Sequence, residues 1–182
     1  MKRLWKVLVA IAAAVLLLVL IGVPLYVLPP AGDPKKSDAI LVLGPPTEQR
    51  IALAEELRDE GVSDLIIVSV QKSGGQTEQD LDICRDEGVR CDVPDPFTTR
   101  GEVLLISENS AASDPPSLTV VTFTPHVMRA RYIFGKCYAG DVTVVSTNQP
   151  LSFGGWAYQY LYQSVAFVKA LFEPCPEVDT NG

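Results

Sequence analysis

The sequence predicts an α/β domain of three layers around a mainly parallel sheet of about five strands, preceded by one transmembrane helix. Three observations carry this expectation. The N-terminal segment holds a long run without charge, short β-branched runs then alternate with stretches of helical periodicity, and polar residues collect after those runs.

The uncharged run covers Val7 to Leu28, 22 residues, which at about 1.5 Å per residue crosses a hydrocarbon core about 30 Å thick. Lys2, Arg3 and Lys6 precede it and Asp33, Lys35, Lys36 and Asp38 follow. The positive-inside bias therefore expects a cytoplasmic N-terminus and an exported domain tethered to the plasma membrane, with Trp5 and Tyr26 as interfacial anchors. A cleaved signal peptide has a shorter apolar core and a small-x-small site, which Leu28-Pro29-Pro30-Ala31 does not supply, so a retained anchor is expected. No cysteine near the end of the run permits lipoprotein-style processing. Residues 1–28 are thus read as a cytoplasmic stub with its span, 29–36 as a Pro-stiffened linker and 37–182 as the extracytoplasmic domain.

Beyond the linker the predicted strands are Ala39 to Leu43, Leu65 to Val70, a weaker one near Cys91 to Val93, Leu118 to Phe123 and Val142 to Val145. Their apolar character is nearly continuous, as expected of parallel strands covered on both faces. The helices between them are Glu48 to Glu60, closed by Gly61; Gln76 to Glu87, closed by Gly88; Arg100 to Asn109; and Pro125 to Lys136. A last helix covers Trp156 to Phe172. Its Tyr158, Tyr160, Tyr162 and Phe167 are read as the packed face of an amphipathic helix rather than a lipid-facing patch. This order with short connections gives a Rossmann-like three-layer domain.

All 22 acidic residues lie at or beyond Asp33, whereas three of the 15 basic ones precede it; residues 33–182 therefore carry 12 basic against 22 acidic groups, a net charge of −10. Nucleic acid is excluded as a partner, because its binders need a basic stripe to displace counterions, and the close basic pairs here are Lys35/Lys36 and Arg129/Arg131. The four cysteines of an exported domain read as two disulfides rather than a metal site. Their spacings lack the paired ligands zinc requires, and the chain has one histidine. Helix ends and strand starts share one sheet edge, so the topology favours Cys84 with Cys91 and Cys137 with Cys175, both opposite the ligand-binding edge.

The chain lacks the dinucleotide fingerprint, the P-loop and the G-x-S-x-G elbow. Its chemistry-bearing residues sit after the strands. Thr124-Pro125 begins a helix by the N-cap and N1 rules, placing His126 in a first turn that disfavours protonation of imidazole, with Arg129 one turn on able to clamp an anion. Arg50 in the first turn of its helix opposes the dipole unless an anion sits between. Thr99-Arg100-Gly101-Glu102 fits a capping box, in which Thr99 and Glu102 satisfy each other's donors; the alternative makes Glu102 an acid/base or metal carboxylate beside Arg100. Ser73-Gly74-Gly75-Gln76 is read as a flexible turn.

Taken together, these loops resemble the YdcF/SanA/ElyC-like family, the bacterial domain of unknown function 218. The resemblance rests on Asp38-Ala39-Ile40-Leu41-Val42-Leu43-Gly44, Arg50 with Ala54 and Leu57, Ile66-Ile67-Val68-Ser69, Thr99, Val121-Thr122, His126 and Arg129-Ala130. It covers roughly residues 37 to 146 and includes two departures: Ser69-Val70-Gln71 stands for the usual Ser-Gly-Gly, and Thr99-Arg100-Gly101-Glu102 for Thr-x-Glu-Asn. The resemblance implies a Rossmann-like fold and a role in peptidoglycan or surface-polysaccharide maintenance, without supplying a reaction or a cofactor.

The expected ligand is accordingly a phosphorylated or polyprenyl-linked envelope precursor. Gly44, Arg50, Ser69, Thr99, Arg100, Thr122 and Arg129 are expected to hold it, with His126 and Glu102 as acid/base groups and no assigned metal. A nucleotide-like ligand would instead draw on Thr122, Gln71 and Asp95, and a disulfide-locked scaffold acting through partner contacts would use none of them.

Overall fold

The computed structural model describes residues 2–30, 32–109 and 116–177. Helix α1 (Lys2–Gly22) continues into a π-helical turn, Val23–Val27, and together they form one apolar helix long enough to cross a membrane. Five parallel strands follow: β1 (Ala39–Val42), β2 (Ile66–Ser69), β3 (Val89–Asp92), β4 (Leu118–Phe123) and β5 (Val142–Thr147). They lie in the order β3-β2-β1-β4-β5, with Ile40 of β1 opposite Ile66 on one side and Thr119 on the other.

The continuous apolar runs are explained by burial on both faces. Leu41, Ile67, Val120 and Val144 pack with Val103 and Ile106 of α3 (Thr99–Glu108) and Val127, Ala130 and Phe134 of α4 (Val127–Cys137). Ile40, Val42, Val68 and Val121 pack on the other face with Ala54 and Leu57 of α2 (Glu48–Asp59). The architecture is the Rossmann-like α/β fold that the sequence predicts. Strands are added on one side of β1 up to β3 and on the other from β4 onward, so the switch point, the crevice beyond the C-terminal ends of β1 and β4, is where this topology binds ligands.

Several local expectations are corrected. Gln76 to Glu87 is not a helix; it forms turns and a short 3-10 segment, Asp82–Arg85. Asp80 accepts hydrogen bonds from the amide and hydroxyl of Thr77, a local turn that competes with helix, and the Cys84–Cys91 bridge draws the chain back within seven residues. The third strand accordingly begins at Val89 rather than Cys91. Thr124 caps no helix: its hydroxyl donates to the Thr147 carbonyl, Thr124–His126 is a 3-10 turn, and α4 starts at Val127. The last helix, α5 (Phe153–Phe172), starts three residues earlier than expected, because the Ser152 hydroxyl accepts from the Gly155 amide and caps it.

Both expected disulfides are present. Cys137–Cys175 ties the end of α4 to the segment after α5. Cys84–Cys91 does not sit at the strand N-termini, however; Cys91 lies mid-strand opposite Val68, so this bridge packs against the face that α2 covers.

Candidate functional site

The site is built from the loops after β1, β2 and β4 and from the first turns of α2, α3 and α4. After β1 the chain turns through Gly44 and a cis Gly44–Pro45 bond into α2. Arg50 folds back over this turn, its Nη1 donating to the Leu43 and Pro45 carbonyls at 2.9 Å each, with the guanidinium 4.9 Å from the Phe123 ring centre. It is 4% exposed. Burial lowers its pKa to about 10 against the favourable field of Glu102, which still leaves a cation at neutral pH.

Helix α3 is capped by Thr98, whose hydroxyl accepts from the Gly101 amide at 3.2 Å, and not by Thr99. The capping box is therefore absent, and Glu102 is released to turn inward. Its carboxylate, 3% exposed, accepts from the Gly44 amide at 2.6 Å. The buried Ser69 hydroxyl beside it helps to stabilise the anion, without reaching hydrogen-bonding geometry to any atom of the described residues. Burial raises the Glu102 pKa, opposed by Gly44, Ser69, Arg50 and Arg129.

Two glycines make these approaches possible. A Cβ on Gly44 would lie 2.4 Å from the Phe97 ring, and one on Gly101 would lie 1.9 Å from the Pro96 carbonyl oxygen.

His126 is 4% exposed and held between two hydroxyls, Thr122 at 2.8 Å from Nδ1 and Thr99 at 3.3 Å from Nε2. Desolvation first, then the charges of Arg129 and Arg50, push its pKa well below 6.5, so the ring is neutral. Arg129, on the first turn of α4, donates from Nε to Gln163 of α5 at 2.9 Å and lies over the Tyr162 ring at 5.9 Å. Gln163 is itself fixed by Gln159.

Arg50 donates to the Leu43 carbonyl and Glu102 accepts from the next amide, Gly44, while His126 meets Thr99 in the turn that carries Glu102; the four residues adjoin, with the charges of Arg50 and Arg129 acting on both Glu102 and His126. Among the described residues neither arginine has a carboxylate within ion-pair distance. Arg100 does not join them; its Nη1 lies 3.5 Å from the carboxylate of Glu173.

Of the expected ligand-binding groups, Gly44 spends its amide on Glu102, Thr99 and Thr122 face His126, and Ser69 is sealed beside the carboxylate. Ser69, Thr99 and Thr122 are buried, as Arg50 itself is. Gln71 bonds through its amide to Gln76, and Asp95 is exposed. Gly74 has a φ of +114° in an exposed turn. No group of three His, Cys, Asp or Glu side chains suited to a metal occurs among the described residues.

Sequence reasoning missed Phe97, which covers Gly44, and Gln163, which holds Arg129. Gln163 had a signal: it is a polar residue in a helix with no charge before Lys169, and it is almost fully buried. A separate groove of about 480 Å³ between the linker, α2 and β5 includes none of the four grouped residues. Comparison with protein-family models, with curated proteins and with solved structures finds no match to this chain.

Proposed function

We propose that this is a membrane-anchored bacterial envelope protein, its N-terminus cytoplasmic and its domain outside, whose cleft binds a phosphorylated or lipid-linked precursor of peptidoglycan or surface polysaccharide. The observation that carries the reading is the pair Arg50 and Arg129, two largely buried cations that share the field of one carboxylate, Glu102, with none within ion-pair distance among the described residues. Burying two such charges against one carboxylate is costly, and an anionic ligand offsets that cost. Bidentate donors suit phosphate oxygens. The resemblance to the YdcF/SanA/ElyC-like family and the two disulfides support an envelope setting.

If the ligand turns over, Glu102 and His126 are the groups beside the two guanidiniums that would exchange protons with it, His126 through the Thr99 hydroxyl. The closure of His126 behind two threonines favours a second reading, a binding module without catalysis, for which the ligand is released unchanged. Equilibrium binding of radiolabelled undecaprenyl phosphate to the full chain tests the first claim. Saturable binding that Arg129→Ala abolishes supports it; binding unchanged in Arg129→Ala contradicts it.

A further inference from the structure

We infer that the N-terminal half of α5 is a second membrane element, immersed in the lipid bilayer beside the span. This rests on the reading of α1 as the anchor but not on the anionic ligand. The sequence reading of α5 as a packed amphipathic helix holds for only one of its faces. Tyr160 and Phe167 pack inward, yet Phe153 is 91%, Tyr158 60%, Leu161 69% and Tyr162 47% exposed. The chain carries no charged residue between Asp141 and Lys169. An aromatic-rich, uncharged and outward-facing surface of this kind suits the lipid–water boundary.

Contacts with the span identify the bilayer as the occupant. The Tyr160 hydroxyl donates to the Val19 carbonyl at 3.4 Å, and the Tyr160 ring closes on Gly22, where a Cβ would lie 2.2 Å away. Farther along both segments, Tyr26 bonds to Ser164 at 3.0 Å. Both contacts advance together, so α5 runs alongside the end of the span in the same direction. Tyr158 and Leu161, the exposed residues on either side of Tyr160, therefore lie at the level of the last turns of the span. No exposed apolar surface at that depth can face water if α1 spans the membrane.

The consequence reaches the site. Tyr162 and Gln163, on the turn that leaves the bilayer, are the residues that hold Arg129. A phosphate at the membrane surface is thereby presented to that guanidinium without leaving the lipid boundary.

The test uses the full chain with Trp5→Phe and Trp156→Phe, reconstituted in phosphatidylcholine–phosphatidylglycerol vesicles with or without bromine on the acyl chains. Single tryptophan reporters are placed at exposed positions by Leu16→Trp in the span, Leu161→Trp in α5 and Phe172→Trp at the far end of α5. The expected result is a roughly twofold or greater loss of emission for Leu16→Trp and Leu161→Trp in brominated lipid, with little change for Phe172→Trp. Quenching of Leu16→Trp alone overturns the inference while leaving the anchor intact, and is the outcome if a second copy of the chain covers this face. Absence of quenching at both positions overturns the anchor itself and the inference with it. The chain with Trp156 retained and only Trp5→Phe gives the same readout with α5 unaltered, and equal emission in both vesicles overturns the inference there too.

Discussion

The main-chain amide of Gly44 donates to the Glu102 carboxylate at 2.6 Å, tying the turn after β1 to the first turn of α3. Glu102→Gln keeps an acceptor oxygen there, whereas Glu102→Ala leaves a buried amide unpaired at a cost of about 1 to 3 kcal/mol. Urea unfolding of the two variants checks this. Glu102→Ala is expected to be the less stable, and equal midpoints would show that the bond has no structural weight.

The two titratable groups in the site act on stability in opposite directions. His126 is held well below 6.5, so between that depressed value and 6.5 the unfolded chain binds a proton that the folded chain does not. Stability therefore rises with pH through that interval and is lost as pH falls. Glu102, raised above 4.5, favours the fold below 4.5 and loses that contribution as pH climbs toward its raised value. The groups acting on His126 are Thr99, Thr122, Arg50 and Arg129. Denaturation of wild type at about pH 7 and about pH 5.5 is expected to show lower stability in acid, with His126→Gln flattening the difference. An identical pH dependence in the variant would assign the effect elsewhere.

Arg50 and Arg129 differ in structural role. Arg50 satisfies two carbonyls, so Arg50→Ala is expected to destabilise by about 1 to 3 kcal/mol. Among the described residues Arg129 makes one side-chain hydrogen bond, to Gln163, and Arg129→Ala is expected to cost less than Arg50→Ala in the same melts.

The disulfides rank by the loop each closes. Cys137–Cys175 spans 38 residues and Cys84–Cys91 spans seven. Chain entropy assigns about 4 kcal/mol to the first and about 2 kcal/mol to the second. Serine replacement of each pair, followed by guanidinium unfolding, is expected to return that order.

The strands were legible because burial on both faces demands continuous β-branched runs, and the topology followed from their alternation with helices. The stretch from Gln76 to Glu87 was not, because helical spacing of Leu81 and Cys84 looks the same whether a helix or a disulfide-closed turn satisfies it. Adjacent threonines hid the cap of α3: Thr98 takes it only because Gly101 lies against Pro96 and Glu102 turns inward to Gly44. Arg50, Glu102, His126 and Arg129 were legible as residues after strands. Which side chains they meet was not, since whether a threonine faces a ligand or a histidine depends on side-chain packing that no spacing records. Gly101→Ala puts a methyl 1.9 Å from a carbonyl oxygen and is expected to destabilise by about 1 to 3 kcal/mol by thermal melting.

Arg100 is paired with Glu173, which leaves Arg129 as the guanidinium proposed to meet the anionic ligand. Thermal melting of the detergent-solubilised full chain with undecaprenyl phosphate tests that proposal most directly, because saturation at about 100 times the dissociation constant adds about 2.7 kcal/mol. A raised melting temperature is expected in wild type and Arg100→Ala and none in Arg129→Ala. A shift that survives Arg129→Ala and disappears in Arg100→Ala would contradict it.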